Sequence, residues 1–349
     1  MKALVLAGGA GTRLRPLSHS IPKQLVPVAG RPVLFHGLDA LREIGITEVG
    51  IIVNGVGRQI RAAVGDGSEF GMSITYLRQD DPLGLAHCVM IAQDFLAGDD
   101  FVMYLGDNIF AGGLLTPMLE FQTFRPAVQL VVTRVDDPSQ SGVAEVENGR
   151  VTRLEEKPKQ PKSDLAVTGA YFFTGEIHEG IRNITPSKRG EWEITDAIQW
   201  LVAAGREVRA HVFEGFWKDT GNMGDLLDCN RALLEGLVSD QRGSVDGSSE
   251  IVGPVVIGAG ARVEGSRIIG PVIVGPGCVI RGSDVGPYTS IGAACTLTDA
   301  GLQNSVLLDE VSVHGVRAIE GSLVGRSAHV RRGPLRLVVG DNSRLEVPL

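Results

Sequence analysis

Several residues in this sequence are of a type and spacing that could do chemistry. Behind the first apolar run stands Gly8–Gly9–Ala10–Gly11–Thr12–Arg13, and Lys23 follows a little further on. Three glycines leave backbone N–H groups unshielded, so the loop can face phosphate oxygens, and the two cations suit the same anionic guest. Asp107 closes the apolar run Phe101–Leu105, and Asp219 stands in Trp217–Gly221. Each aspartate taken singly is a good turn residue. Glu155–Lys157 is a charged run that on its own reads as a solvated turn. The histidines are scattered and show no H-E-x-x-H pattern, which gives no sign of zinc hydrolysis.

The loop admits more than one reading. A dinucleotide fingerprint fails at Leu14, where its third glycine is required, and a Walker A loop needs a Gly-Lys-Ser/Thr that is absent. A phosphate cradle and a tight strand-to-helix turn with surface cations both remain open from the loop alone.

Composition limits the classes of function. With 349 residues, 43% hydrophobic and 21% charged, the chain can build two domains with cores of their own. A net charge of −8 argues against broad binding of nucleic acid or a membrane surface, so an anion site must be local. No apolar run approaches the ~20 residues of a membrane span, and MKALVLAGG reads as a strand and turn rather than a secretory signal. Four cysteines (Cys88, Cys229, Cys278, Cys295) lack C-x-x-C spacing, which points to reduced thiols and a cytoplasmic location.

The elements that must position these residues fall into two kinds. Lys2–Ala7, Glu48–Asn54, Ser73–Arg78 and Asp100–Leu105 read as strands, and Pro32–Ile44, Gly57–Val64 and Gly84–Leu96 as helices. Such alternation implies an α/β fold with a parallel, doubly wound, Rossmann-like sheet, whose ligands bind beyond the carboxyl ends of the strands. Gly8–Arg13 and Asp107 both fall on that rim. From residue 251 branched apolar residues recur about every six, as in Ile257, Val263 and Ile269, or Val285, Ile291 and Leu297. That period marks the hexapeptide repeats of a parallel β-helix. The expected boundaries are 1–238 for the first domain, 239–250 for a linker, 251–335 for the β-helix and 336–349 for a tail. Cys278 and Cys295 should lie on the same side of adjacent coils, as packing residues.

Taken in order, the motifs become specific. G-G-x-G-T-R-L-x-P, P-K-Q-L-x-P-V, QDDPLGLAH (79–87), YLGDNIF (104–110), EEKP (155–158), VTGAYFF (167–173), GEWEITDAI (190–198) and WKDTG (217–221) resemble the sugar-1-phosphate nucleotidylyltransferases. Within these, the chain looks like the longer glucose-1-phosphate thymidylyltransferases, which carry a C-terminal left-handed β-helix. The resemblance implies Mg²⁺-dependent, in-line attack of a sugar phosphate oxygen on the α-phosphorus of a nucleoside triphosphate. Such a transfer rests on positioning and charge neutralisation rather than a covalent nucleophile.

Residue by residue, the resemblance implies that Leu6, Gly8, Gly9, Gly11, Thr12, Gln79 and Gly84 bind the nucleotide, with Gln79 reading the pyrimidine edge. Arg13 and Lys23 would hold the β- and γ-phosphates. Gly142, Glu156, Lys157, Val167 and Thr168 would hold the sugar phosphate, and Asp107 and Asp219 one Mg²⁺. Ser141 stands where the family commonly has an aromatic residue, which leaves the sugar less defined than the reaction. The implied substrates are dTTP and glucose 1-phosphate, with UTP or an N-acetylhexosamine phosphate as alternatives and self-association through the β-helix. A β-helix acyltransferase with His314 as base is the rival outside the class. Arg13→Ala and Lys23→Ala should each lower turnover severely while the circular dichroism spectrum stays that of the parent.

Overall fold

The computed structural model describes residues 1–333 apart from Ala10 and Val56. These residues form two compact units, divided at Gly236 and Leu237. The first is built on a nine-stranded sheet. Lys2–Leu6 lies between Glu48–Val53 and Phe101–Leu105, and Ser73–Arg78 closes that edge, all four parallel. Period-two alternation sets the packing. Leu4 and Leu6 face one core with Ala86, Val89, Ile194 and Ile198, while Ala3, Val5 and Ala7 face the other with Leu34, Leu38, Ile60 and Phe121. Helices Val33–Glu43, Gly57–Val64 and Leu115–Phe124 therefore cover one face, and Leu85–Ile91 and Ile194–Ala203 the other.

Beyond Phe101–Leu105 the sheet departs from the all-parallel expectation. Leu165–Phe173 runs antiparallel to it, Val128–Arg134 runs antiparallel to Leu165–Phe173, and Val208–Val212 lies parallel to Val128–Arg134. The hairpin Gly142–Glu147 and Arg150–Glu156 closes the far edge. Leu165–Phe173 is buried along its whole length, as a central strand of either direction would be, so its composition carried no sign of the reversal. The consequence is functional: the reversed strand and the hairpin wall off a second pocket beside the rim of the parallel half.

The second unit is a parallel β-helix with three faces. Ile257, Val274, Ile291, Leu307 and Val324 stack on one, Val263, Ile280, Leu297, Val313 and Val330 on the next, and Ile268, Val285, Leu302 and Ile319 on the third. Cys278 and Cys295 fall on adjacent coils in the same buried core, as expected from their spacing; their thiols donate to the carbonyls of Gly292 (3.0 Å) and Leu308 (3.1 Å).

Residues 239–250, expected as a linker, instead carry the first coil. Asp240–Gln241, Ser244–Val245 and Glu250–Val252 pair in register with Val256–Ile257, Arg262–Val263 and Arg267–Ile269. An end coil covers core on one side only, so this polar stretch suffices with little more than Val245 turned inward. The expected tail, 336–349, and the last two residues of the expected β-helix lie outside the described residues. Ile280 has no exposed surface, so Ile280→Ala should cost about 2–5 kcal/mol, seen as a lower denaturation midpoint for the transition of this unit.

Candidate active site

The rim of the parallel half and the antiparallel wall enclose two adjoining cavities. Leu6, Gly8, Gly9, Lys23, Gln24, Gln79 and Gly84 line one. Gly142, Glu156, Lys157, Val167, Thr168, Arg189 and Asp219 line the other. Leu85, Leu105, Asp107 and Glu191 belong to both, so the two expected subsites meet at Asp107.

Asp107 is held from several directions. Its backbone carbonyl accepts hydrogen bonds from the N–H (2.8 Å) and hydroxyl (2.9 Å) of Thr220. One carboxylate oxygen accepts from Asn108 Nδ2 (2.9 Å), and the other is paired with the Lys23 ammonium. Asn108 is itself buried and fixed, its amide oxygen accepting from Trp217 Nε1 (2.8 Å) and its carbonyl from Tyr104 Oη (2.7 Å). The ring of Tyr104 fits because Gly37 has no side chain: a Cβ there would stand 2.5 Å from the ring.

Asp219 reaches the same place through strand pairing. Phe216–Asp219 runs antiparallel to Asn108–Ala111, with Asp219 opposite Asn108. The strand stops at once because Asn222 and Asp225 form a reciprocal capping box that starts the helix Met223–Leu234. Burial first, and then the neighbouring Asp107 and Asp225 carboxylates, push the Asp219 carboxyl above its ordinary pKa, against the pull of Arg13 and Lys23. Arg13 lies close by: a Cβ added to Gly221 would sit 3.0 Å from its Nη2 and 3.3 Å from Asp219 Oδ2.

Two carboxylates lining one cavity form a donor set that suits Mg²⁺, which takes few protein ligands and leaves room for phosphate oxygens and water. Among the described residues no group of three or more His, Cys, Asp or Glu side chains adds a richer metal site.

The glycine loop is arranged differently from the simplest expectation. Its missing side chains make room first for Lys23, since a Cβ on Gly9 would lie 2.8 Å from Lys23 Cε and one on Gly11 3.1 Å from Lys23 Cβ. Gly11, at φ 62°, opens the short turn Thr12–Leu14. Gly11, Thr12 and Arg13 line neither cavity, whereas Gly8 and Gly9 do. Gln79 is buried rather than on the surface; its amide donates weakly to the Gly84 carbonyl (3.4 Å) and lies 3.1 Å from His87 Nδ1. Gly84, at φ 102°, is pressed against Trp192, whose backbone oxygen a Cβ would meet at 2.5 Å.

On the sugar side both oxygens of Glu156 are engaged, Oε2 by the Thr195 hydroxyl (3.1 Å) and Oε1 by Arg189 (3.3 Å), with Lys157 Nζ at 3.6 Å. Gly142 lets Thr195 approach, since a Cβ there would stand 2.8 Å from Thr195 Cγ2. The Thr168 hydroxyl is spent on the Val131 carbonyl (2.7 Å), so this residue lines the pocket without a free side-chain donor. Sequence reasoning missed Asn108, His87, Arg189, Glu193 and Thr195. Only Arg189 and Glu193 left a signal, as opposite charges within KRGEWEIT, and such runs usually mark a solvated surface.

A family model described as nucleotidyl transferase matches residues 2–236. The chain is 51% identical to a glucose-1-phosphate thymidylyltransferase of Streptomyces griseus, over 99% of each chain. It is 52% identical to one of Streptomyces antibioticus, again over 99% of each. A crystal structure of a candidate glucose-1-phosphate thymidylyltransferase from Bacillus anthracis, solved with sucrose, matches with a TM-score of 0.63 at 36% identity. It covers 69% of this chain and 97% of that one.

The raised carboxyl of Asp219 has a consequence for stability. A carboxyl whose pKa rises on folding contributes stability below the ordinary carboxylate range, and that contribution is lost as pH climbs through the folded value. Once ionised, the side chain therefore burdens the fold. Asp219→Asn should raise the melting temperature at pH 7–8 without added metal, and the gain should shrink toward pH 4 in a pH series of thermal melts.

Proposed function

The chain belongs to the nucleotidyl transferase family, and we propose that it joins dTTP and glucose 1-phosphate to give dTDP-glucose and pyrophosphate. The observation that carries this reading is the meeting of two differently built cavities at Asp107, with Asp219 lining the sugar-side one and feeling the Asp107 charge. The full-length relatives from two Streptomyces species support it, being thymidylyltransferases that act on glucose 1-phosphate.

The residues divide the work as follows. Gln79, beside Gly84 and His87, turns amide hydrogen-bonding groups toward a pyrimidine, and Gly8 and Gly9 let the triphosphate approach the backbone. Lys157 and Arg189 orient the sugar phosphate, while Glu156 accepts from sugar hydroxyls. An oxygen of that phosphate attacks the α-phosphorus in line, the bond from the α-phosphorus to the bridging oxygen breaks, and pyrophosphate leaves with its charge met by Lys23 and Arg13. A Mg²⁺ ion held by Asp107 and Asp219 would supply electrostatic stabilisation of the phosphoryl oxygens.

Ser141 lines the sugar pocket with a small side chain, so the sugar is the least constrained part of the reading. The outer faces of the β-helix would carry self-association, which sedimentation velocity at micromolar concentration tests directly. Pyrophosphate release should be fastest with dTTP and glucose 1-phosphate in a matrix of four nucleotides and several hexose 1-phosphates. A clear preference for UTP with an N-acetylhexosamine phosphate would replace this substrate assignment. Asp107→Asn should lower kcat by a factor on the order of 10²–10⁴ while nucleotide affinity changes far less.

A further inference from the structure

The segment Ser187–Thr195 touches both halves of the site. On the nucleotide side its contact is main-chain: the Trp192 N–H donates to the Leu83 carbonyl (2.7 Å), and the Trp192 carbonyl accepts from the Ala86 N–H (3.1 Å). These two bonds grip Gly84 from either side, and Gly84 in turn accepts from Gln79. On the sugar side the contact is ionic. Arg189 Nη2 stands 3.3 Å from Glu156 Oε1 and 2.8 Å from Glu193 Oε1, and Arg189 Nε is 3.2 Å from the same Glu193 oxygen.

Glu193 is the fixed member of this set. It is 6% exposed, and Ser187 Oγ donates to it at 2.8 Å. It also occupies the N-cap of the helix Ile194–Ala203, yet its side chain makes no cap hydrogen bond. A carboxylate near a helix N-terminus ordinarily gains from the exposed N–H groups there; this one is turned onto Arg189 instead. Arg189 itself is 41% exposed and meets a third carboxylate, Glu191, at 3.5 Å. Without Glu193 the guanidinium would be free to swing among Glu156, Glu191 and solvent, since a flexible side chain keeps one geometry only when something rigid holds it. Two residues on, Thr195 holds the other oxygen of Glu156.

We propose that Glu193 is a positioning residue that aims Arg189 into the sugar-phosphate pocket, and that the Trp192 clamp on Gly84 makes nucleotide binding and sugar-phosphate binding mutually reinforcing. The proposal rests on the substrate classes assigned above. A nucleotide that orders the Gln79–Gly84 loop orders Trp192, and with it the start of the helix that carries Glu193 and Thr195. Coupling between the two ligands must then be reciprocal.

Glu193→Gln keeps size and a hydrogen-bonding oxygen but removes the charge that holds Arg189. It should raise the KM for glucose 1-phosphate about tenfold, with the KM for dTTP and kcat within about threefold of the parent. Calorimetry of glucose 1-phosphate with and without a non-reactive dTTP analogue should show several-fold tightening in the parent and a smaller factor in the variant. Because Glu193 acts through Arg189, adding Glu193→Gln to Arg189→Ala should change the sugar-phosphate KM by less than about twofold, and Glu193→Asp should recover part of the loss. Thermal melts separate a folding defect from a positioning one.

A sugar-phosphate KM unchanged in Glu193→Gln, or an effect that adds in full to that of Arg189→Ala, would overturn the positioning role. An analogue that leaves glucose 1-phosphate affinity untouched in the parent would overturn the coupling. Failure of the substrate assignment reads differently: the parent enzyme would then prefer another hexose phosphate, with which the same cycle is run.

Discussion

The site depends on bringing two carboxylates together that would rather stay apart. The pairing of Phe216–Asp219 with Asn108–Ala111 sets Asp219 opposite the residue next to Asp107, in a half-buried place where like charges repel. Much of the surrounding structure offsets that repulsion. Lys23 is ion-paired with Asp107, Arg13 lies near Asp219, and Asn108, locked by Trp217 and Tyr104, donates to the remaining Asp107 oxygen. A rigid arrangement of this kind is costly by itself and favours a ligand that brings positive charge to the two carboxylates.

This constraint also accounts for where the glycines fall. Gly9 and Gly11 clear a path for Lys23, Gly221 leaves space for Arg13, and Gly37 admits the Tyr104 ring that fixes the Asn108 carbonyl. Their common function is close approach by the protein's own side chains. The freedom of the loop to meet phosphate is secondary to this, since among its described residues only Gly8 and Gly9 line the cavity.

The sequence was legible where a local rule governs. The strand Ser73–Arg78 and the helix Gly57–Val64 have the expected limits, because apolar periodicity and their flanking turns decide them. The β-helix register was legible as well, since each coil repeats the same inward position. What could not be read depends on distant partners. A buried run such as Leu165–Phe173 carries no mark of its direction, and the polar first coil at 240–252 resembled a linker because little more than Val245 of it packs on the core. Asn108 and Glu193 take their meaning from Trp217 and Arg189; an isolated amide gives no sequence cue to such a contact, and a charged pair reads as solvated surface. The pairing of Asp107 with Asp219 was reached only through the family resemblance, and the strand pairing now gives it a physical cause.

Asp107 and Asp219 should act as one cation site. Electron paramagnetic resonance of Mn²⁺ tests it most directly, by counting free and bound ion in the presence of a non-reactive dTTP analogue. One Mn²⁺ should bind tightly per chain, weakened by Asp107→Asn and by Asp219→Asn, with the double variant little worse than either single one. Wild-type Mn²⁺ affinity in Asp219→Asn, or two losses that simply add, would contradict it.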